Sequence, residues 1–201
     1  MLIFLLFLLV NSQSVWSKFG QPVLEKYVTA KISVDIQVVW THFILNGILV
    51  VDSELKGVYA QLYGDDPQDY WHKANLSAIV TPLSNNTVDI WNIKNSQCLL
   101  YGNNVSTVSL PPLSIPSDSE HRGNTTVDGI STSVWRIHNP YKGVFFVDVY
   151  ITLNTPHNVI RLQTEFAATT SVYGYMTITL TNHNNNKPNP DWYFPPRQCK
   201  I

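Results

Sequence analysis

From Tyr27 onward, apolar and polar residues alternate with a period of two, the signature of half-buried β-strands. Ile32, Val34, Ile36 and Val38 alternate with Lys31, Ser33, Asp35 and Gln37. Phe43-Ile44-Leu45 and Ile48-Leu49-Val50-Val51 flank Asn46-Gly47, a pair that tolerates positive φ and therefore predicts a tight hairpin there. A further strand is expected over Gly57 to Tyr63. The pattern breaks between Gly64 and Leu83, where a turn-rich loop with a short helix near Gln68 to Ala74 is expected. Strands resume at Thr87 to Ile93 and Gln97 to Tyr101, and Gly102 to Gly129 reads as a long polar segment. Such a segment in a compact domain is usually functional or a covering flap.

The second half alternates most regularly. Ile130 to His138, then Val147, Val149, Ile151 and Leu153, then Ile160, Leu162, Thr164 and Phe166, then Val172, Gly174, Met176, Ile178 and Leu180 mark four consecutive strands. The turns between them are short, so the strands are antiparallel neighbours needing no helical crossover. The expected fold class is mainly β: a large antiparallel meander with one aliphatic face. That face must be covered by a second sheet, by closure, or by curving around a ligand. Val34, Ile36, Val149, Ile151, Ile160, Leu162, Met176 and Ile178 are its expected core, either packed against a second layer or lining a site for an apolar molecule.

The first residues change the compartment. Leu2 to Val10 is an apolar run too short to span a bilayer, followed by polar residues with small Ser12, Ser14 and Ser17. Residues 1–17 read as a signal peptide and residues 18–201 as one domain, entering the secretory pathway. Net charge is −1 and the basic residues are scattered, so nucleic-acid binding has no electrostatic support. Four N-glycosylation sequons begin at Asn75, Asn85, Asn104 and Asn124, in or beside polar stretches between the expected strands.

In that compartment the two cysteines, Cys98 and Cys199, are expected to pair, the alternative being separate thiols with one bonding to another chain. Closing a loop of roughly a hundred residues stabilises by about 4–5 kcal/mol in the chain-entropy model. The bridge would strap residues 189–199, Asn-Pro-Asp-Trp-Tyr-Phe-Pro-Pro-Arg-Gln-Cys, back across the fold. Its prolines predict an extended, rigid tail rather than a helix.

Catalytic chemistry finds little support. The six histidines are dispersed, and neither a zinc-protease helix motif nor a nucleophile elbow nor a dinucleotide loop occurs. Asp148 and Glu165, on neighbouring strands, are the one carboxylate pair worth testing for glycoside hydrolysis, against ordinary outward-facing strand residues. Asp65, Asp66 and Asp69 lack the spacing of a calcium loop and read as a solvated turn. No metal site or cofactor is expected from the residues, and the chain is read as a non-enzyme.

The order of Gln97-Cys98, a proline-rich segment with Ile115-Pro116, a strand through Val134-Trp135, long hairpins, then Asp191 and Phe194-Pro195-Pro196-Arg197-Gln198-Cys199 resembles the ependymin-related proteins. Family members carry more cysteines than this chain, so their further bridges have no counterpart here. The resemblance implies a LolA-like half-barrel, a curved antiparallel sheet with short helices or loops covering its concave face. It also implies dimers that bind lipids or other hydrophobic molecules in extracellular or lysosomal settings, sometimes with calcium (Ca). A related domain accompanies papain-like proteases; with no Cys-His pair of that type in this sequence, the resemblance implies as a further alternative a non-catalytic companion domain of such a protease. Two functions follow as expectations: a carrier of a lipid or hydrophobic small molecule, and a secreted adhesion or signalling factor contacting a cell-surface protein.

Overall fold

A computed structural model describes residues 22–39, 41–66, 69–83, 87–106, 115–141, 143–167 and 173–199. Eleven strands form one antiparallel sheet: β1 (Tyr27–Val38), β2 (Thr41–Asp52), β3 (Gly57–Asp66), β4 (Asp69–Pro82), β5 (Thr87–Lys94), β6 (Gln97–Ser106), β7 (Glu120–Val127), β8 (Ile130–Tyr141), β9 (Val144–Thr152), β10 (Val159–Ala167) and β11 (Tyr173–Asn184). Their spatial order is β6-β5-β4-β3-β2-β1-β11-β10-β9-β8-β7. Two meanders are thus zipped together where the first strand pairs with the last, Val34 opposite Ile178 and Ile36 opposite Met176.

This topology leaves β6 and β7 as the two edges, yet they are consecutive in sequence. Residues 107–119, fully extended, reach at most about 50 Å. A flat sheet of this width would be about 48 Å across. The link must also travel roughly 25 Å along the strands, because β6 ends near the start of β5 while β7 enters beside Arg136. The diagonal is at the limit of that reach, in keeping with a sheet that is curved and open between β6 and β7. The buried Ile115 on this link joins the inner core.

The inner face carries that core. One cross-strand row runs Trp135–Val149–Leu162–Ile178–Val34–Leu45 over six neighbouring strands. Side chains of alternate residues share a face, so each strand contributes its aliphatic set to one contiguous cluster.

Several expectations are corrected. Asn46-Gly47 is no turn. It lies in the middle of β2, with Gly47 between Ile32 and Leu62. Glycine is needed because a Cβ there would fall 1.7 Å from the Gln61 carbonyl oxygen. A two-residue hairpin instead occurs at Asp128-Gly129, both at positive φ, between β7 and β8. The helix expected near Gln68 to Ala74 is replaced by strand β4, and the polar segment from Gly102 contains the end of β6 and all of β7.

The tail is not wholly extended either. Two short 3-10 turns, Pro190–Tyr193 and Arg197–Cys199, interrupt it. Proline suits the first helical position, and the Asn189 side chain accepts a hydrogen bond from the Asp191 N–H at 3.0 Å, capping the first turn. The tail covers the outer face of β3, β4 and β6. There Ile79, Trp91 and Ile93 form a second cluster with Cys199, and Trp192 lies 4.9 Å from the Tyr59 ring. The Cys98–Cys199 disulfide closes the strap across 101 positions, with its Cα atoms 5.4 Å apart.

Candidate ligand-binding site

All eight residues expected on the aliphatic face are buried. Val34, Ile36, Val149, Ile151, Leu162, Met176 and Ile178 belong to the inner cluster. Ile160 does not: the register between β9 and β10 shifts between Val159 and Arg161, so Val159 packs on the inner cluster instead.

Where the inner face meets β7, β8 and the end of β9, it opens into a cleft of about 1100 Å³. The arm Pro22 to Lys26 forms one wall. His121, Asn124, Ser133, Trp135, Thr152, Leu153, Thr155 and His157 form the rest. Two residues connect cleft and core. Trp135 ends the cross-strand row and lines the cleft, and Leu24 packs on the inner cluster while lining the cleft. These residues escaped the strand-by-strand reading, because a segment before the first strand, the edge strand β7 and its neighbours β8 and β9 converge only in the curved sheet.

The polar geometry of the cleft is specific. The Trp135 indole N–H donates to Ser133 Oγ at 3.2 Å, and the His121 ring sits 4.8 Å from the Trp135 ring. The His157 Nδ1 donates to the Thr152 carbonyl at 3.0 Å. Lys26 reaches out of the cleft to Glu54 at 2.9 Å, and the Tyr27 hydroxyl also donates a short hydrogen bond to that carboxylate. Tyr27 and Lys26, both bonded to it, hold Glu54 below the usual carboxylate range, while the hydrogen bond to Glu54 pushes the Tyr27 phenol up to about 12. Glu25 is half-buried in the cleft wall.

On the outer face the two carboxylates singled out for catalysis have separate surroundings. Arg136 grips Asp148 with two hydrogen bonds, 2.7 and 2.6 Å, and stacks 4.0 Å over the Phe146 ring. The Asp148 hydrogen bond raises the arginine further. Glu165 stands opposite Phe146 and Tyr175. Among the described residues no three His, Cys, Asp or Glu groups converge as a metal site. The side chains of Asp65, Asp66 and Asp69 lie outside the described residues.

Three sequon asparagines are exposed but sit within strands rather than between them: Asn75 in β4, Asn104 in β6 and Asn124 in β7, the last on the cleft wall. Asn85 and residues 1–17 lie outside the described residues. No helix among the described residues is long and apolar enough to cross a membrane.

No protein-family model and no curated protein matches the sequence. Solved structures do match in arrangement. A LolA superfamily protein from Nitrosomonas europaea aligns with TM-score 0.40 and 6% identity over 87% of this chain and 92% of its own. A DUF1329 family protein from Desulfovibrio piger aligns with TM-score 0.35 and 10% identity over 79% of this chain and 85% of its own. At this distance the likeness bears on neither ligand nor partner.

Proposed function

We propose that this chain is a secreted or lysosomal glycoprotein that binds a lipid or other hydrophobic small molecule on the concave side of its sheet, without catalysis. The observation that carries this reading is the continuity of the apolar inner face with an open cleft through Trp135 and Leu24. A ligand entering there exchanges water for aliphatic surface at about 25 cal/mol per Å² of apolar area. The motif order shared with the ependymin-related proteins points the same way. Protein purified from its native source and extracted into organic solvent should yield a recurrent lipid by mass spectrometry. Repeated preparations without any co-purified lipid would sink the reading.

A second reading, adhesion or signalling, draws on a different surface. Tyr63, Tyr173 and Tyr175 are each more than half exposed, at 60%, 53% and 57%. Tyr173 and Tyr175 bound a shallow outer depression with Val39 and His42. Tyrosine is favoured at protein interfaces. Cross-linking to a cell-surface protein, lost on replacing these tyrosines with serine, is the outcome this reading expects.

A further inference from the structure

We infer that the cleft selects an amphiphile with a positively charged amine or quaternary ammonium headgroup; this rests on the carrier reading and specifies its ligand. The argument is a charge inventory of the lining. Its cation, Lys26, is turned away into the ion pair with Glu54, whose carboxylate also holds the Tyr27 hydroxyl. The three arginines on or beside the cleft strands are committed as well, Arg122 to Glu120 at 2.9 Å, Arg136 to Asp148 at 2.6 Å and Arg161 to Asp128 at 2.8 Å. An anionic headgroup would find no uncommitted guanidinium or ammonium among the described lining residues.

Glu25 presents the opposite case. It is half-buried in the wall and has no ion-pair partner among the described residues. A neutral amphiphile seated over it would remove water from a carboxylate and return nothing. A cation would compensate it. The same cleft holds Trp135, whose indole N–H is already used by Ser133; its ring, with His121 4.8 Å to one side, is what remains for a ligand. Tryptophan is the strongest cation–π partner among the side chains. Carboxylate and indole in one cleft, continuous with an aliphatic wall, suit an ammonium head and an apolar chain. The Thr155 hydroxyl and the Asn124 amide oxygen supply acceptors around it.

The test uses the full glycosylated chain at one fixed pH and three probes that share one alkyl chain. They are hexadecyltrimethylammonium, hexadecanol and hexadecanoate, each below its micelle concentration and measured by displacement of a fluorescent fatty probe. The ammonium should bind about tenfold or more tighter than the carboxylate. Glu25→Gln should bring the two within about threefold, with Glu25→Asp restoring most of the preference. Trp135→Leu should weaken the ammonium selectively, with Trp135→Phe retaining part of it. Equal binding of the three, tighter binding of hexadecanoate, or a ratio unmoved by Glu25→Gln overturns the headgroup inference and leaves the carrier reading standing. Failure of all three probes to bind overturns both.

Discussion

Gly57 and Tyr193 are locked together: a Cβ on Gly57 would fall 2.6 Å from Cγ of the fully buried Tyr193 ring. The middle one of the tail's three aromatics is thus seated where the β-strand has no side chain to oppose it. Gly57→Ala should destabilise the fold by about 1–3 kcal/mol through this clash, and Tyr193→Ala by about 3–5 kcal/mol through the cavity it leaves. The two should not add. In a Tyr193→Ala background the glycine change should lose most of its effect, read from urea unfolding of the four proteins in a double-mutant cycle.

Burial pushes the Tyr193 phenol upward, with nearby Asp52 adding to the shift. A raised folded-state value means the folded protein prefers the neutral phenol. Its contribution is therefore fully present below the ordinary phenol value of about 10 and is lost as pH rises above it. Unfolding free energy measured from about pH 9 to 11 should fall more steeply for the parent protein than for Tyr193→Phe.

The disulfide ties the tail onto the cluster of Ile79, Trp91 and Ile93. Replacing both Cys98 and Cys199 with alanine should lower stability by about 2–5 kcal/mol. The exposed Arg197 then becomes the reporter. Tryptic cleavage after it should accelerate in the alanine variant while cuts within the inner sheet do not.

Arg136 and Asp148 make a two-pronged pair whose side chains are only 24% and 12% exposed. Removing one partner strands the other, so Asp148→Ala should destabilise by about 2–3 kcal/mol, somewhat less than a fully buried pair would. Glu165→Gln should change stability by less than about 0.5 kcal/mol. Thermal melts of both variants separate a structural role for Asp148 from the paired-carboxylate role considered for the two.

Gly47 separates a strand from a hairpin. In a two-residue turn, alanine would be disfavoured mildly by its backbone angles; inside β2 it would strike the Gln61 carbonyl. Gly47→Ala should therefore disrupt the β2–β3 pairing, at about 3 kcal/mol or more, and accelerate amide hydrogen exchange along Leu45 to Val51.

Two glycine-containing pairs show why local reading reaches only so far. Asn46-Gly47 and Asp128-Gly129 carry the same hairpin signal, and only the second forms a turn. Flanking sequence cannot distinguish a glycine required by its own φ from one required by a neighbouring strand's backbone. Likewise Asp69 to Ala74 looks like turn and helix in isolation, yet it becomes β4 because β3 offers it a ladder of hydrogen bonds.

What the sequence by itself determined is the alternation in β1 and in β8 to β11: which face is aliphatic there apart from Ile160, that the last four strands are consecutive antiparallel neighbours, and that Cys199 has one partner available within the chain. Period two in a strand is a local property, written in consecutive residues. What only the tertiary structure decided is the curvature of the open sheet, the pairing of β1 with β11, and the cleft where Leu24, His121, Trp135 and His157 meet. These depend on strand order and on side chains far apart in the chain, and no local pattern encodes which distant surfaces will close on one another.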